Sequence, residues 1–162
     1  MVSWFVAARL TVSFGISKET IMTREEWESS NSPLLMLEVV PAAGFDERLL
    51  SFSVEICRRM RHLLPTESLE ALATIEEYLS GNGSVERVIA ARVPAAIGRR
   101  RVTRRTSFKP VKIHPQERAA MVVQSVTSLD AWNSAKDAAL ACVDLLDDDV
   151  PCLLREFIGN PF

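Results

Sequence analysis

Few residues in this sequence combine the types and the spacing that catalysis or metal binding requires. Glu76 is the most informative, because helical periodicity places it with Leu69 and Leu72 on the apolar face of one helix. A carboxylate on such a face must find a partner or shift its pKa. It could serve as a general acid or base, or it could form a structural ion pair with Arg59 of the preceding helix. No nucleophile or second acid accompanies Glu76, and we therefore favour the ion pair with Arg59.

The histidines and the cysteines form no metal-binding or catalytic pattern. His62 could be a general base or a metal ligand, but no second histidine lies near it in sequence, and we interpret it as a surface residue or a helix cap. His114 precedes Pro115 and is interpreted as the residue before a helix. The cysteines are Cys57, Cys142 and Cys152, with no C-x-x-C pair among them. We expect no metal site and no cofactor, and we interpret the cysteines as buried apolar thiols in a reducing, cytoplasmic compartment.

A basic segment, residues 99–112, differs most in composition from the rest of the chain. It contains no acidic residue, and its cations are Arg99, Arg100, Arg101, Arg104, Arg105, Lys109 and Lys112. Such a segment could bind anions, for example the phosphates of nucleic acid or a membrane surface. Phe108 is its one aromatic residue, so we interpret the segment as an exposed loop. We expect that its charge either faces solvent or is offset by Asp144 and residues 147–149.

Helices must position these residues, and Phe45–Leu64 is the segment around which the others are organised. At 100° per residue, one stripe of this segment contains Leu49, Phe52, Ile56, Met60 and Leu63. A second set widens the stripe to roughly 200° of arc, and it consists of Leu50, Val54, Cys57 and Leu64. A helix this apolar is contacted from at least two directions. We therefore predict that it is the central helix of a bundle, capped by Asp46 and stopped by Pro65.

Capping and stop signals predict further helices on both sides of the central one. Thr23 and Glu26 form a capping box. Ser84–Arg92 is predicted as a helix that Pro94 ends. The other predicted helices start at Ser32-Pro33, Thr66, Pro115, Asp130 and Val150, and the one that starts at Thr66 ends at Gly81.

Composition and pattern together predict an all-α fold. A chain of 162 residues, 48% apolar and 25% charged, suits one globular domain. We predict an irregular bundle of about six or seven helices over residues 22–162. Residues 1–21 alternate like a strand, with no second strand for pairing, and we expect a short, non-helical and peripheral extension. We expect no membrane span, and the net charge of −2 indicates no polyanionic partner.

Three separated motifs resemble a single protein family. They are Met22-Thr23 with Glu26-Trp27, Cys57-Arg58-Arg59 with His62-Leu63-Leu64, and Leu153-Leu154-Arg155 with Gly159-Asn160-Pro161-Phe162. They are similar to the MTEAEW, CCRRxxHLL and LLRxIFGNPF motifs of a family of uncharacterised, alanine-rich helical proteins of planctomycete-type bacteria. The resemblance covers the sequence from Met22 onwards in outline and implies an α-helical fold without implying an activity. Val54 and Ile56 stand where family members often carry further cysteines, which argues against a metal cluster.

These observations favour a non-catalytic protein-interaction or scaffold module with a protein partner. The alternative is a nucleic-acid-binding accessory protein that uses residues 99–112, and an enzyme of unknown type comes third. An exposed apolar patch would favour the protein partner. A continuous basic face would favour nucleic acid, and a large pocket with convergent polar groups would favour an enzyme.

Overall fold

The computed structural model describes residues 22–41, 44–106, 113–145 and 150–162. Within these ranges the chain is helical and contains no strand, which confirms the predicted fold class. Its elements are α1 (Arg24–Ser29), α2 (Pro33–Val39), α3 (Asp46–Arg59), a 3₁₀ turn (Arg61–Leu63), α4 (Thr66–Leu79), α5 (Val85–Thr106), α6 (Pro115–Val126), α7 (Ala131–Leu145) and α8 (Val150–Ile158). The predicted N-terminal extension, residues 1–21, lies outside the described residues.

The start of α1 and the end of α4 follow local hydrogen bonds that the sequence predicts. At the start of α1, the Glu26 N–H donates to Thr23 Oγ1 (3.2 Å), and the Thr23 N–H donates to Glu26 Oε2 (2.7 Å). Both backbone donors are thereby satisfied, and the capping box is confirmed. At the end of α4, Gly81 has a φ angle of +79°, and its N–H donates to the Tyr78 carbonyl. This left-handed conformation suits glycine and closes the helix.

The helix α3 lies at the centre of the fold, as its wide apolar stripe predicts. It packs against α4, α6, α7 and α8. Its buried residues are Leu49, Leu50, Phe52, Ser53, Val54, Ile56 and Cys57. The start of α3 differs from the prediction by one position, because Phe45 is the N-cap residue and Asp46 is the first helical residue. The Asp46 carboxylate therefore lies in the first turn, where negative charge is favourable, and makes no capping hydrogen bond.

Three arginine side chains donate hydrogen bonds to backbone carbonyls at helix ends that are distant in sequence. The contacts to backbone carbonyls are Arg48 Nη1 to Ile158 (2.9 Å), Arg92 Nε to Thr127 (3.0 Å), Arg92 Nη2 to Ser128 (2.9 Å), Arg155 Nε to Trp27 (3.1 Å) and Arg155 Nη2 to Ser30 (2.5 Å). These carbonyls lie in the last turns of α8 and α1 or directly after the ends of α6 and α1. Carbonyls at helix ends have no partner within the helix, so a guanidinium there satisfies them and suits the negative end of the helix dipole.

The helix α5 is longer than the sequence predicts. We expected a helix over Ser84–Arg92 that Pro94 ends, but α5 continues through Pro94 to Thr106. Pro94 removes one backbone hydrogen bond, and the packing of α5 against α4 and α6 holds the helix together on both sides of it. The first eight residues of the basic segment are consequently helical, and their interpretation as a loop was wrong. Residues 107–112 lie outside the described residues.

Small side chains let α5 lie close to α4. The buried face of α5 consists of Val88, Ala91, Ala95, Gly98 and Val102. A Cβ atom at Gly98 would lie 2.5 Å from Ser68 Oγ and 3.2 Å from the Ser68 backbone nitrogen. The contact between the two helices therefore requires glycine at this position.

Candidate interaction surface

The structure corrects the predicted partner of Glu76. Arg58, not Arg59, contacts it, with Arg58 Nε 2.5 Å from Glu76 Oε1. Arg59 Nε instead lies 3.2 Å from Glu55 Oε1 on the same helix. The hydrogen bond to Glu76 raises the pKa of Arg58 above its ordinary value, and the charge of Glu55 adds to this effect. A carboxylate held by a permanently charged guanidinium has an evident structural role as a link between α3 and α4.

Cys57 precedes Arg58 in the sequence and is buried in the core. Burial raises the pKa of its thiol well above the ordinary value of 9.0, and nearby Cys142 and Glu76 raise it further. A thiol with a raised pKa stays protonated near neutral pH and is a poor nucleophile. Cys142 is buried as well, whereas Cys152 is exposed, which corrects our expectation that all three thiols are buried.

The two histidines have the surface roles that the sequence favours. His62 is exposed in the turn that follows α3. His114 is the N-cap residue of α6, where its Nδ1 atom accepts a hydrogen bond from the Gln116 N–H at 3.4 Å. Within the described ranges, no group of three or more histidine, cysteine or acidic residues is arranged so that it could hold a metal ion.

The arginines of the basic segment divide into two sets. The first set is held by neighbouring helices: Arg99 Nη1 donates to Gln124 Oε1 (3.1 Å), and Arg101 Nη1 forms an ion pair with Glu67 Oε1 (2.8 Å). The second set, Arg100 and Arg104, is exposed, and neither has a carboxylate partner among the described residues. Lys109, Lys112 and the Arg105 side chain lie outside the described part, as do the Asp144 side chain and residues 147–149, which we expected to offset the charge.

A groove runs beside the C-terminal half of α5. Its volume is about 440 Å³, and its lining residues are Ala96, Arg99, Arg100, Thr103, Arg104 and Gln124. Thr103 Oγ1 donates to Glu117 Oε1 at 2.8 Å, so one carboxylate lies next to the arginines. Three of the six lining residues are arginines, and this arrangement suits an anionic ligand better than it suits acid–base chemistry.

A row of large apolar side chains lies on the face of α5 that points away from the core. Val85, Ile89, Val93 and Ile97 recur at intervals of four residues and are all exposed. Val93 has 64% of its surface exposed, while Ile89 and Ile97 have 48% and 47%. We call these four side chains the α5 ridge. A row of large apolar side chains on the outer side of one helix is typical of a binding surface, since a solvated helix face is normally polar.

No family model, curated protein or solved structure matches the chain. None of the helices in the described part combines the length and the hydropathy that crossing a membrane requires.

The motif residues that carry the resemblance lie partly in the core and partly at the surface. Trp27, Cys57 and Leu154 are buried. Arg155 of the third motif donates to the Trp27 carbonyl of the first motif, so the two ends of the pattern meet in space. The buried motif residues and this hydrogen bond therefore help to hold the bundle together.

The α5 ridge was missed by the sequence analysis for one reason. The four-residue spacing of its members is visible in the sequence, but the predicted helix stopped before Val93. Had the helix been continued through Pro94, the same periodicity would have shown two faces: one of small buried residues around Ala95 and one of large residues around Val93.

Proposed function

We propose that this protein is a non-catalytic interaction module whose docking surface is the α5 ridge. The observation that carries the proposal is the exposure of Val93 at the middle of a row of branched apolar side chains. Removing such side chains from water is favourable by about 25 cal/mol per Å² of apolar area. A protein partner provides that burial.

The chemistry of the described residues supports this proposal over an enzyme. Glu76 is bound to Arg58, and the Cys57 thiol is buried and protonated. Catalysis by acid–base or nucleophilic groups needs a base within reach of a nucleophile and a cavity that holds substrate. The described residues do not bring such groups together around a groove.

The experiment compares three forms of the chain by affinity capture from the native cell, followed by mass spectrometry. Wild type is compared with Val93→Lys, which places a charge at the centre of the ridge. The matched control is Val143→Lys, because Val143 on α7 is a valine of nearly equal exposure, 66% against 64%. Each substitution changes the free energy of unfolding by no more than about 0.5 kcal/mol, since both sites are on the surface.

We expect the same proteins to be captured by wild type and by Val143→Lys, and we expect Val93→Lys to lose them. Each captured protein is then purified and titrated against the three forms, so that direct binding is measured. Equal capture by all three forms would rule out the α5 ridge as the docking surface.

A second candidate function is nucleic-acid binding through the groove beside α5. Arg99, Arg100 and Arg104 line the groove together, and two of them are exposed without a carboxylate partner in the described part of the chain. Guanidinium groups bind phosphates through paired N–H donors. An interaction of this kind weakens steeply with salt, with a slope of roughly −0.9 per phosphate contact in a plot of log K against log salt.

A titration with labelled duplex and single-stranded oligonucleotides at low and moderate salt tests this second function. The variant is Arg100→Ser/Arg104→Ser, which leaves the contacts of Arg99 and Arg101 intact. The control is Arg24→Ser/Arg61→Ser, which removes the same charge from exposed residues outside the groove. Binding that the control retains and the variant loses supports nucleic-acid binding. No binding at low salt, or equal binding by both variants, excludes it for this groove.

A further inference from the structure

The outward face of α5 has a symmetric order of residue types about Val93. Ile89 and Ile97 lie four residues before and after it, and Glu86 and Arg100 lie seven residues before and after it. Four residues are about one helical turn and seven are about two, so all five side chains share one face. Glu86 and Arg100 are both exposed. The face therefore has an acidic end, an apolar middle and a basic end.

We propose that a second copy of the chain occupies this face, with the two α5 helices antiparallel about a two-fold axis at Val93. The inference rests on the proposed function, because it names the partner of the α5 ridge. In this arrangement Ile89 packs against Ile97 of the partner subunit. Glu86 faces Arg100 of the partner subunit, and the symmetry repeats both contacts. An interface of this kind is isologous, and it closes at two copies.

Charge decides between the two directions in which a second α5 could lie. A parallel copy would place Arg100 beside the partner's Arg100 and Glu86 beside the partner's Glu86, and like charges in contact are unfavourable. The antiparallel copy replaces both repulsions by two attractive pairs. The hydroxyl of Ser84 and the Glu86 N–H lower the pKa of the Glu86 carboxyl, so this end of the face stays negative at neutral pH.

Small residues beside the axis permit close approach. Ala90 and Ala96 lie three residues before and after Val93 and flank it on the two sides. Helices packed over such residues can approach within the 8–10 Å range of ordinary helix pairs. The apolar part of the contact is limited to the ridge, whereas stable interfaces bury at least ~1,200 Å² in total. The dimer is therefore weak and depends on concentration, with a dissociation constant in the micromolar range.

Sedimentation of the purified chain over about a hundredfold range of concentration tests this inference. Wild type and Val143→Lys are expected to change from monomer to dimer, and Val93→Lys is expected to stay monomeric, because two lysines would meet at the axis. Glu86→Arg and Arg100→Glu should each weaken the dimer by about tenfold or more. The double variant Glu86→Arg/Arg100→Glu should restore it, since both pairs are then attractive again. Thermal unfolding shows that each variant is folded.

Three results would overturn the inference: a monomer at every concentration, a dimer that Val93→Lys leaves intact, or a double variant that is no better than the singles. These failures are distinguishable from failure of the proposed function. If wild type is monomeric and Val93→Lys still loses captured cellular proteins, the ridge is a docking surface for a different partner.

Discussion

Arg58 and Glu76 join α3 to α4 by an ion pair in which the Arg58 Nε and Glu76 Oε1 atoms are 2.5 Å apart. Arg58 Nη1 also lies 3.6 Å from Glu55 Oε2, so one guanidinium forms ion pairs with two carboxylates. The Arg58 side chain is 52% exposed and that of Glu76 is 24% exposed. Water therefore screens the pair, and its contribution is that of a partly exposed salt bridge.

We predict that Glu76→Ala lowers the free energy of unfolding by about 0.5–1 kcal/mol. The measurement is urea unfolding of Glu76→Ala, Arg58→Ala and the double variant. The coupling between the two positions should be favourable and about 0.5 kcal/mol. The control is the same cycle with Arg59→Ala, which should be close to additive. A larger coupling of Glu76 to Arg59 than to Arg58 would contradict the observed pairing.

We predict that Gly98→Ala destabilises the protein by about 1–3 kcal/mol, because its Cβ would lie 2.5 Å from Ser68 Oγ. The loss is expected although alanine is the better helix former by about 1 kcal/mol. Ser68→Ala removes the closest atom, a buried hydroxyl without a hydrogen-bond partner among the described residues. Ser68→Ala should raise the free energy of unfolding by roughly 1 kcal/mol. In the Ser68→Ala background, Gly98→Ala should be less destabilising. A stabilising Gly98→Ala would show that α4 and α5 are not in close contact there.

We predict that the native protein contains one rapidly reacting thiol. Cys152 is exposed, while Cys57 and Cys142 are buried. Titration with a chromogenic disulfide reagent should modify Cys152 first and the two buried thiols only after denaturation. Cys152→Ser should abolish the rapid reaction. Rapid modification of a second thiol in the native protein would contradict the burial of Cys57 and Cys142.

The Cys57 thiol also predicts a loss of stability at alkaline pH. Burial raises its pKa in the folded chain, and the unfolded chain titrates near the ordinary value of 9.0. Above about pH 9, the unfolded state releases a proton that the folded state keeps, so stability falls as pH rises, by up to about 1.4 kcal/mol per pH unit. Urea unfolding of wild type and Cys57→Ala between neutral pH and about pH 10 measures this slope. The variant should lose less stability across that range. Equal slopes would show that Cys57 is not the titrating group.

The sequence predicted those parts of the fold that short-range hydrogen bonds decide. The Thr23–Glu26 capping box and the turn at Gly81 depend on residues within a few positions of one another. The burial of α3 followed from the width of its apolar stripe. These features can therefore be predicted without knowing which helices pack against one another.

The remaining features depend on how the helices cross. Arg58 and Arg59 point about 100° apart on α3, and only the position of α4 decides which of them reaches Glu76. The sequence signal at Pro94 is that of a helix end, but contacts with α4 and α6 keep α5 intact. The predicted helix ended before Val93, so the sequence analysis could not identify the α5 ridge. The ridge forms only when Val93 and Ile97 belong to the same helix as Val85.

The most direct test of the docking surface is photo-cross-linking in the native cell. A benzophenone amino acid is placed at position 93 in one strain and at position 143 in another, since the two valines are similarly exposed on different helices. The α5 ridge predicts discrete cross-linked adducts from position 93, either to a second copy of this chain or to another protein, and none from position 143. Equal or absent cross-linking at the two positions would contradict a docking surface on α5.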